Sequence, residues 1–238
     1  MTRPACAATL AATTGVQAIK TIGAITIGQA PRDDIVPEME KLLGPGVRVV
    51  QAGALDGLTG AEIAALAPAT SQDALITRLR DGSHVVVAKP AIHARLQTCL
   101  DRLQGDVEAF VVLCTGAFAP FRSRRPVLLP DRVLAATVQA VFEGGRLGVI
   151  VPIPQQRDGA ARRWASTDPD VAVGVASPYG DPGAAVKAAE ELQRAGVTLV
   201  VMSCAGFTPA MKTVVRDVTG APVLLPIALI ARLLAELT

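Results

Sequence analysis

Two of the chain's four cysteines, Cys114 and Cys204, sit in matched surroundings: each closes an apolar run and is followed by a small residue and then a glycine. Thr115-Gly116 follow the first and Ala205-Gly206 the second. Two thiols facing one another across a cleft can do what one cannot. One, as thiolate, takes a proton from a carbon acid; the other, still protonated, returns a proton to the opposite face. The outcome is racemisation or epimerisation without a cofactor. A free thiol, with a pKa of about 8.5, is a poor base at neutral pH, so such a site must shift it toward the working pH. In open parallel sheets, ligands collect beyond the carboxyl ends of the strands, where helix N-termini present free N–H groups. A helix beginning just after each cysteine would turn its positive end toward the sulfur or a bound carboxylate, favouring thiolate over thiol. Donors aimed at that carboxylate would stabilise a developing enediolate, and Thr115, Gly116, Ala205 and Gly206 are the substrate-binding candidates next to the sulfurs. The competing reading is that each cysteine simply fills space at a strand end, as buried cysteines often do.

Other side chains offer weaker chemistry. Thr26, Gly28, Gln29 and Arg32 form a polar turn directly after an apolar run. Arg32 either forks onto a substrate carboxylate or is a solvated or helix-pairing cation. Asp56 either overhangs the cleft or belongs to an ordinary Asp-Gly turn with Gly57. Pro152 and Gln155 hold the equivalent place in the second half and are weaker candidates. Arg122, Arg124 and Arg125 either draw an anionic substrate toward the cleft or form an exposed loop. Arg162-Arg163-Trp164 reads most simply as a surface helix covering apolar area. His84 and His93 have no metal-ligand spacing with another His, Asp or Glu, so structural roles are expected, and no metal. Dinucleotide and P-loop signatures are missing.

The elements that must position these residues alternate regularly. Apolar runs predict strands over Thr21–Ile27, Val47–Gln51, His84–Ala88, Ala109–Cys114, Leu147–Pro152, Val171–Ala176, Thr198–Ser203 and Val223–Leu225. Asp33–Leu43 predicts a helix opening on two acids, Thr59 and Glu62 have capping-box spacing, and Asp181–Ala195 predicts a helix stopped by Gly196. The pentapeptide PVLLP occurs twice, at Pro126–Pro130 and Pro222–Pro226, each time before an apolar helical run (Arg132–Phe142 and Ile227–Leu237). Each copy follows one of the cysteine-ended strands, and each half opens on a similar strand, Ile22–Thr26 and Leu147–Val151. Three matched features in one order argue for two related lobes. The fold class is therefore α/β: two pseudo-symmetric lobes, each a mainly parallel sheet flanked by helices, with the cleft between them. The expected organisation is a frayed leader over 1–21, an N-terminal lobe over 22–143 carrying an extra segment near Gly53–Arg80, and a C-terminal lobe over 144–238. The last helix is free to pack on the first lobe.

Composition narrows the partners. Half of the 238 residues are hydrophobic and 3% aromatic, an aliphatic core suited to helices on a buried sheet. The net charge of +2 and the lack of a basic stripe make nucleic acid an unexpected partner. The longest uncharged stretch, Ala195–Met211, is too short and too broken by glycine and proline to span a bilayer, so no membrane is expected. Neither a CxxC pair nor a disulfide density points to secretion, which favours a reducing cytoplasm. Cys6, in the leader, and Cys99, on a predicted helix, are expected to be dispensable. The expected partner is a small carboxylate substrate, with a homo-oligomer left open.

TIGQAPRxD at Thr26–Asp34, GALDGL at Gly53–Leu58, the two cysteine turns and the closing VLLPIALIARLLAEL together resemble the AroM family over nearly the whole chain after Ile22. That family is similar to the aspartate/glutamate/hydantoin racemase superfamily. The resemblance implies two pseudo-symmetric α/β lobes, a substrate between them, and one cysteine from each lobe as cofactor-independent acid and base. By it, Cys114 is the first-lobe cysteine and Cys204 the second-lobe one. One departure matters: the superfamily's amino-acid racemases usually follow the first cysteine with Asn-Thr and the second with Thr. Here Thr115-Gly116 and Ala205-Gly206 stand there instead. Isomerisation, or decarboxylation with one cysteine as proton donor, therefore stays open, as does a non-enzymatic metabolite-binding role.

Overall fold

The computed structural model describes residues 20–237. The first half runs β1 (Lys20–Thr26), α1 (Val36–Leu43), β2 (Val47–Gly53), α2 (Gly60–Ala64), β3 (Ala74–Arg78), β4 (His84–Ala88), α3 (Lys89–Leu103), β5 (Ala109–Leu113), β6 (Val127–Leu128) and α4 (Pro130–Val141). The second runs β7 (Leu147–Val151), α5 (Arg157–Trp164), β8 (Ala172–Val175), α6 (Gly183–Arg194), β9 (Leu199–Met202), α7 (Pro209–Thr219), β10 (Val223–Leu224) and α8 (Pro226–Leu237). Among the described residues no helix is long and apolar enough to cross a membrane.

Two parallel four-stranded sheets result, ordered β2-β1-β5-β6 and β8-β7-β9-β10. The orders superimpose, with β1 matching β7 and β5, which runs into the Cys114 turn, matching β9, which runs into the Cys204 turn. The central strands β5, β7 and β9 are buried along their whole length and β1 beyond its first residue, as helices on both faces require. That is why they read as unbroken apolar runs rather than as alternating ones.

The two halves exchange their last helices. α4, which follows β6 of the first sheet, buries Leu134 and Val138 among Leu147, Val149, Trp164 and Leu199 of the second half. α8, which follows β10, packs on α1 and buries Ile227, Ile230 and Leu234 in one cluster with Ile22, Met39 and Val111. By packing, then, the Pro130–Val141 helix belongs to the second sheet's face although its sequence position puts it in the first half.

Several local expectations meet the structure directly. Thr59 and Glu62 form the capping box, and Gly196, at φ +72°, ends the turn after α6 in the left-handed region that favours glycine. α1 starts at Val36 rather than at the two acids, because Asp34 is bound to Arg32 and the N–H groups of Ile35 and Val36 both donate to the Arg32 carbonyl. The leader's residues 1–19 lie outside the described ones, while Lys20 and Thr21 already belong to β1 and sit opposite Val47 and Arg48. The His84–Ala88 strand joins neither parallel sheet. It pairs antiparallel with β3 in a hairpin turned at Asp81-Gly82, where Gly82 has φ +88°.

Candidate active site

Cys114 and Cys204 line one cavity of about 390 Å³ at the carboxyl ends of the two sheets. Its walls include Leu113 at the end of β5 and Cys114–Ala117 beyond it, Ser203–Gly206 beyond β9, and Val151 and Pro152 at the end of β7. The hairpin contributes Ala74–Thr77, and Gln156 ties it to the second half by donating from Nε2 to the Ala74 carbonyl at 2.9 Å. The two thiols arrive in the same local turn: the N–H of Cys114 donates to Val112 O at 2.8 Å and that of Cys204 to Met202 O at 3.0 Å. This turn leaves the following amides free. Among the described residues no protein acceptor takes the N–H of Thr115 or of Ala205.

Both cysteines are free thiols, each 8% exposed. Burial pushes Cys114 up to about 12, against the Gly116 N–H, which donates to its sulfur at 3.3 Å. Cys204 and Asp131 push in the same direction as burial. Burial also raises Cys204, opposed by the Gly206 N–H, by Arg32 and by the Tyr179 hydroxyl. The expected shift toward neutral pH is therefore reversed: desolvation of the sulfur outweighs the local donors. The expected pair of helices is only half present. α7 begins after the second turn, capped by the Thr208 hydroxyl on the Met211 N–H, whereas no helix intervenes between β5 and β6. The stretch after Cys114 carries Pro120 and Pro126, and Phe118 and Phe121 stack with His93 instead.

The first-half turn is built differently from both sequence readings of it. Arg32 is 3% exposed, so it is no solvated cation. Its Nε and Nη2 donate to the two carboxylate oxygens of Asp34, each at 2.8 Å, so its fork is occupied from within the chain. Nη1 donates to Thr26 Oγ1 and Nη2 also to the Tyr179 hydroxyl, both at 3.0 Å. Burial works against the Arg32 cation, yet Asp34 and Tyr179 together hold its pKa above the ordinary value. Burial likewise opposes the Asp34 carboxylate, and the Arg32 hydrogen bond and charge bring it below the usual range.

Arg32, Thr115, Gly116, Ala205 and Gly206 line the cavity with the cysteines, as do Pro152 and Gln155. Thr26, Gly28, Gln29 and Asp56 do not. The Thr26 hydroxyl accepts from the Gly28 N–H and from Arg32; a Cβ at Gly28 would collide with the Arg78 carbonyl and Thr77; Gln29 Oε1 accepts from the Arg80 N–H. The Asp56 carboxylate accepts from the N–H groups of Ala30 and Gly53, clamping the turn of which Asp-Gly was the sign. Arg122, Arg124 and Arg125 form an exposed loop away from the cavity, whose basic residues are Arg32, Lys89, Arg162 and Arg163. Cys99 lies in the first-half core, and Cys6 falls outside the described residues. His84 stacks loosely with Tyr179, and no group of three or more His, Cys, Asp or Glu among the described residues could hold a metal.

Sequence reasoning missed the other pole of the site. Trp164 is buried rather than superficial, and the Arg163 guanidinium lies 5.2 Å over its ring. Arg163 Nη2 donates to the Asp131 carbonyl at 2.6 Å, while Nη1 stands 3.7 Å from Oδ2. Burial raises Asp131 and lowers Arg163 despite their mutual attraction, so this pair is under-compensated. Two buried side-chain oxygens among the described residues have no hydrogen-bond partner, Asp131 Oδ1 and Thr77 Oγ1, and both residues line the cavity. A signal for Asp131 existed: it follows PVLLP where the second copy has Ile227.

A model of the family described as AroM protein matches residues 22–238. No curated protein sequence matches. Solved structures share the fold: allantoin racemase from Klebsiella pneumoniae (13% identity, TM-score 0.55, covering 91% of this chain and 86% of that one); glutamate racemase from Aquifex pyrophilus (16%, TM-score 0.55, 92% and 84%); and unliganded arylmalonate decarboxylase (15%, TM-score 0.54, 91% and 92%). At such identities the likeness establishes the two-sheet architecture.

Proposed function

The chain belongs to the AroM family, and from that premise we propose that it is a cofactor-independent racemase, epimerase or isomerase of a small carboxylic acid, with Cys114 and Cys204 as its acid–base pair. One observation carries the reading: the two cysteines, in the turns just beyond equivalent strands of two sheets with the same order, line a single cavity. The allantoin and glutamate racemases named above, which share this architecture, support it.

The free N–H groups of Thr115 and Ala205 receive the substrate carboxylate. One cysteine, as thiolate, removes the proton from the adjacent carbon, and the bonding electrons pass into the carboxylate as an enediolate that those N–H groups stabilise. The other thiol gives its proton to the opposite face. The two cysteines leave the turnover with their protonation states exchanged, ready for the other enantiomer. Burial reduces the fraction of thiolate but makes each thiolate a stronger base, which suits a weakly acidic carbon. Asp131 Oδ1, an unpaired acceptor while the carboxyl is ionised, seats an N–H or O–H donor of the substrate.

The test is incubation in deuterium oxide with a panel of small amino, hydroxy and dicarboxylic acids. Deuterium entering the carbon next to the carboxylate, with interconversion of enantiomers, is the expected result. Release of carbon dioxide would replace this reading by a one-cysteine lyase. Binding without exchange or carbon dioxide release would replace it by a metabolite-binding protein.

A further inference from the structure

A side chain able to donate a hydrogen bond lines the cavity on the Cys204 side, whereas the Cys114 sulfur accepts from the Gly116 N–H. That side chain is Tyr179, from the segment after β8. Its hydroxyl stands where a Cβ on Gly206 would have to be, so the glycine after Ala205 makes room for it. Arg32 Nη2 donates to the same oxygen at 3.0 Å, and its guanidinium carbon lies 5.9 Å from the ring centre. The guanidinium cannot turn away, because Asp34 holds two of its nitrogens and Thr26 the third.

We propose that Tyr179 is a positioning residue that makes Cys204 the base of the pair: its oxygen accepts from Arg32, which leaves its only proton to be donated to the Cys204 sulfur. A phenol has a single donor. With Arg32 on the oxygen, the phenol gains acidity and its hydrogen bond to a thiolate gains strength, as charge-assisted bonds do. The groups facing Cys204 are then Tyr179, Arg32, Asp34 and the Gly206 N–H, with Cys114 across the cavity; burial and Asp34 disfavour its thiolate, and Tyr179, Arg32 and the Gly206 N–H favour it. Cys114 also has Arg32 and the Gly116 N–H in its favour, but it has no side-chain donor and meets Asp131, whose charge disfavours an anion there. Cys204 is accordingly the resting base and Cys114 the resting acid. This assignment of roles rests on the two-cysteine reading, whereas the action of Tyr179 on the sulfur does not.

The experiment uses the full chain with Cys6, Cys99 and Cys114 replaced by Ser, so that Cys204 is the one thiol left, and follows its alkylation by iodoacetamide across pH. Tyr179→Phe keeps the ring and removes the donor; the inflexion should move up by about one pH unit, the scale of a charge-assisted hydrogen bond. Tyr179 is the chain's only tyrosine, so growth on a ring-fluorinated tyrosine changes this residue alone. The more acidic phenol should move the inflexion down. In the companion protein that keeps Cys114 instead, neither change should matter. Opposite shifts confined to Cys204 would establish the role. An inflexion that stays put under both changes, in protein with unaltered thermal unfolding, overturns it. That result leaves the two-cysteine reading standing, since deuterium exchange decides that separately.

Discussion

The two sheets carry the same strand order, yet their cysteines sit in different company. Beyond β9, Cys204 meets Tyr179, a fixed guanidinium and a capped helix. Beyond β5, Cys114 meets one backbone N–H, a hairpin with no counterpart in the second half, and the Asp131 carboxylate. The repeat thus accounts for the scaffold and for the facing of two thiols. What distinguishes one thiol from the other lies outside it, in Tyr179, Asp131 and the hairpin, while the Arg32 charge favours both thiolates. A pseudo-symmetric fold can present both faces of a planar intermediate while its side chains make one thiol the readier base.

The widest test of that contrast is to remove each thiol in turn. Replacing either by Ser should lower interconversion of enantiomers by at least about a hundredfold, the usual scale for loss of a general acid or base, because a hydroxyl is too weak an acid to stand in for a thiol. Each single variant should still wash solvent deuterium into one enantiomer, with opposite choices for Cys114→Ser and Cys204→Ser. Cys114→Ser, which keeps the better-supported base, should exchange faster than its counterpart. Equal residual rates would make the thiols equivalent after all, and full interconversion in both variants would reduce them to packing residues.

The echoed positions Asp131 and Ile227 sharpen the contrast next. Both open a helix after PVLLP, but Ile227 is sealed in the core with α1 while Asp131 faces the cavity. Ile227→Ala should cost about 2 to 5 kcal/mol in denaturant unfolding, as buried large-to-small changes do, with ligand affinity untouched in the folded fraction. Asp131→Asn should do the reverse, weakening substrate binding by about tenfold with a smaller effect on unfolding. Should both variants act on stability alone, Asp131 is part of the scaffold like its counterpart.

How far the sequence could be read follows the same division. The eight strand segments read from it all lie at or near observed strands, seven of them in the parallel sheets, whose central strands are unbroken apolar runs, and one, His84–Ala88, in the antiparallel hairpin; β6 lay inside the PVLLP echo and was not recognised. The hairpin's first strand was missed, although Asp-Gly is a recognised hairpin dipeptide, because Ala74–Arg78, ending in Thr77 and Arg78, is neither an unbroken apolar run nor an alternating one. Cys114 and Cys204 were legible from their matched turns. Tyr179 and Asp131 were not, since a lone tyrosine in a loop and an acid at a helix start have many ordinary roles. Arg32 was legible as important, but its partner Asp34, only two residues along, was read as a helix-opening acid. Side-chain pairing inside a tight turn leaves no periodic trace.

The smallest expected effect separates the halves by acid. In the first, the Arg32 hydrogen bonds and charge hold Asp34 below the usual carboxylate range. In the second, the same offset from β7 puts Gly159 where Asp34 stands, and Arg157, at the Arg32 position, lies 3.7 Å from Glu191 on the surface instead. A carboxylate whose pKa is lower in the folded than in the unfolded chain contributes stability above its unfolded value, near pH 4, and that contribution disappears as the pH falls through the folded value. Arg32 stays charged throughout, so protonation of Asp34 leaves a buried guanidinium with Thr26 and Tyr179 alone. Asp34→Asn should therefore cost about 1.5 to 3 kcal/mol at pH 7, the scale of a hydrogen bond to a charged group, and should flatten the acid limb of the stability profile below pH 4. The Cys204 alkylation inflexion should shift as well, because the guanidinium that holds Tyr179 is then tethered less firmly. Denaturant midpoints of the two proteins between pH 3 and pH 7 decide it. If the curves run parallel over that range, Asp34 ionises alike in both states and the anchoring of Arg32 does not depend on its charge.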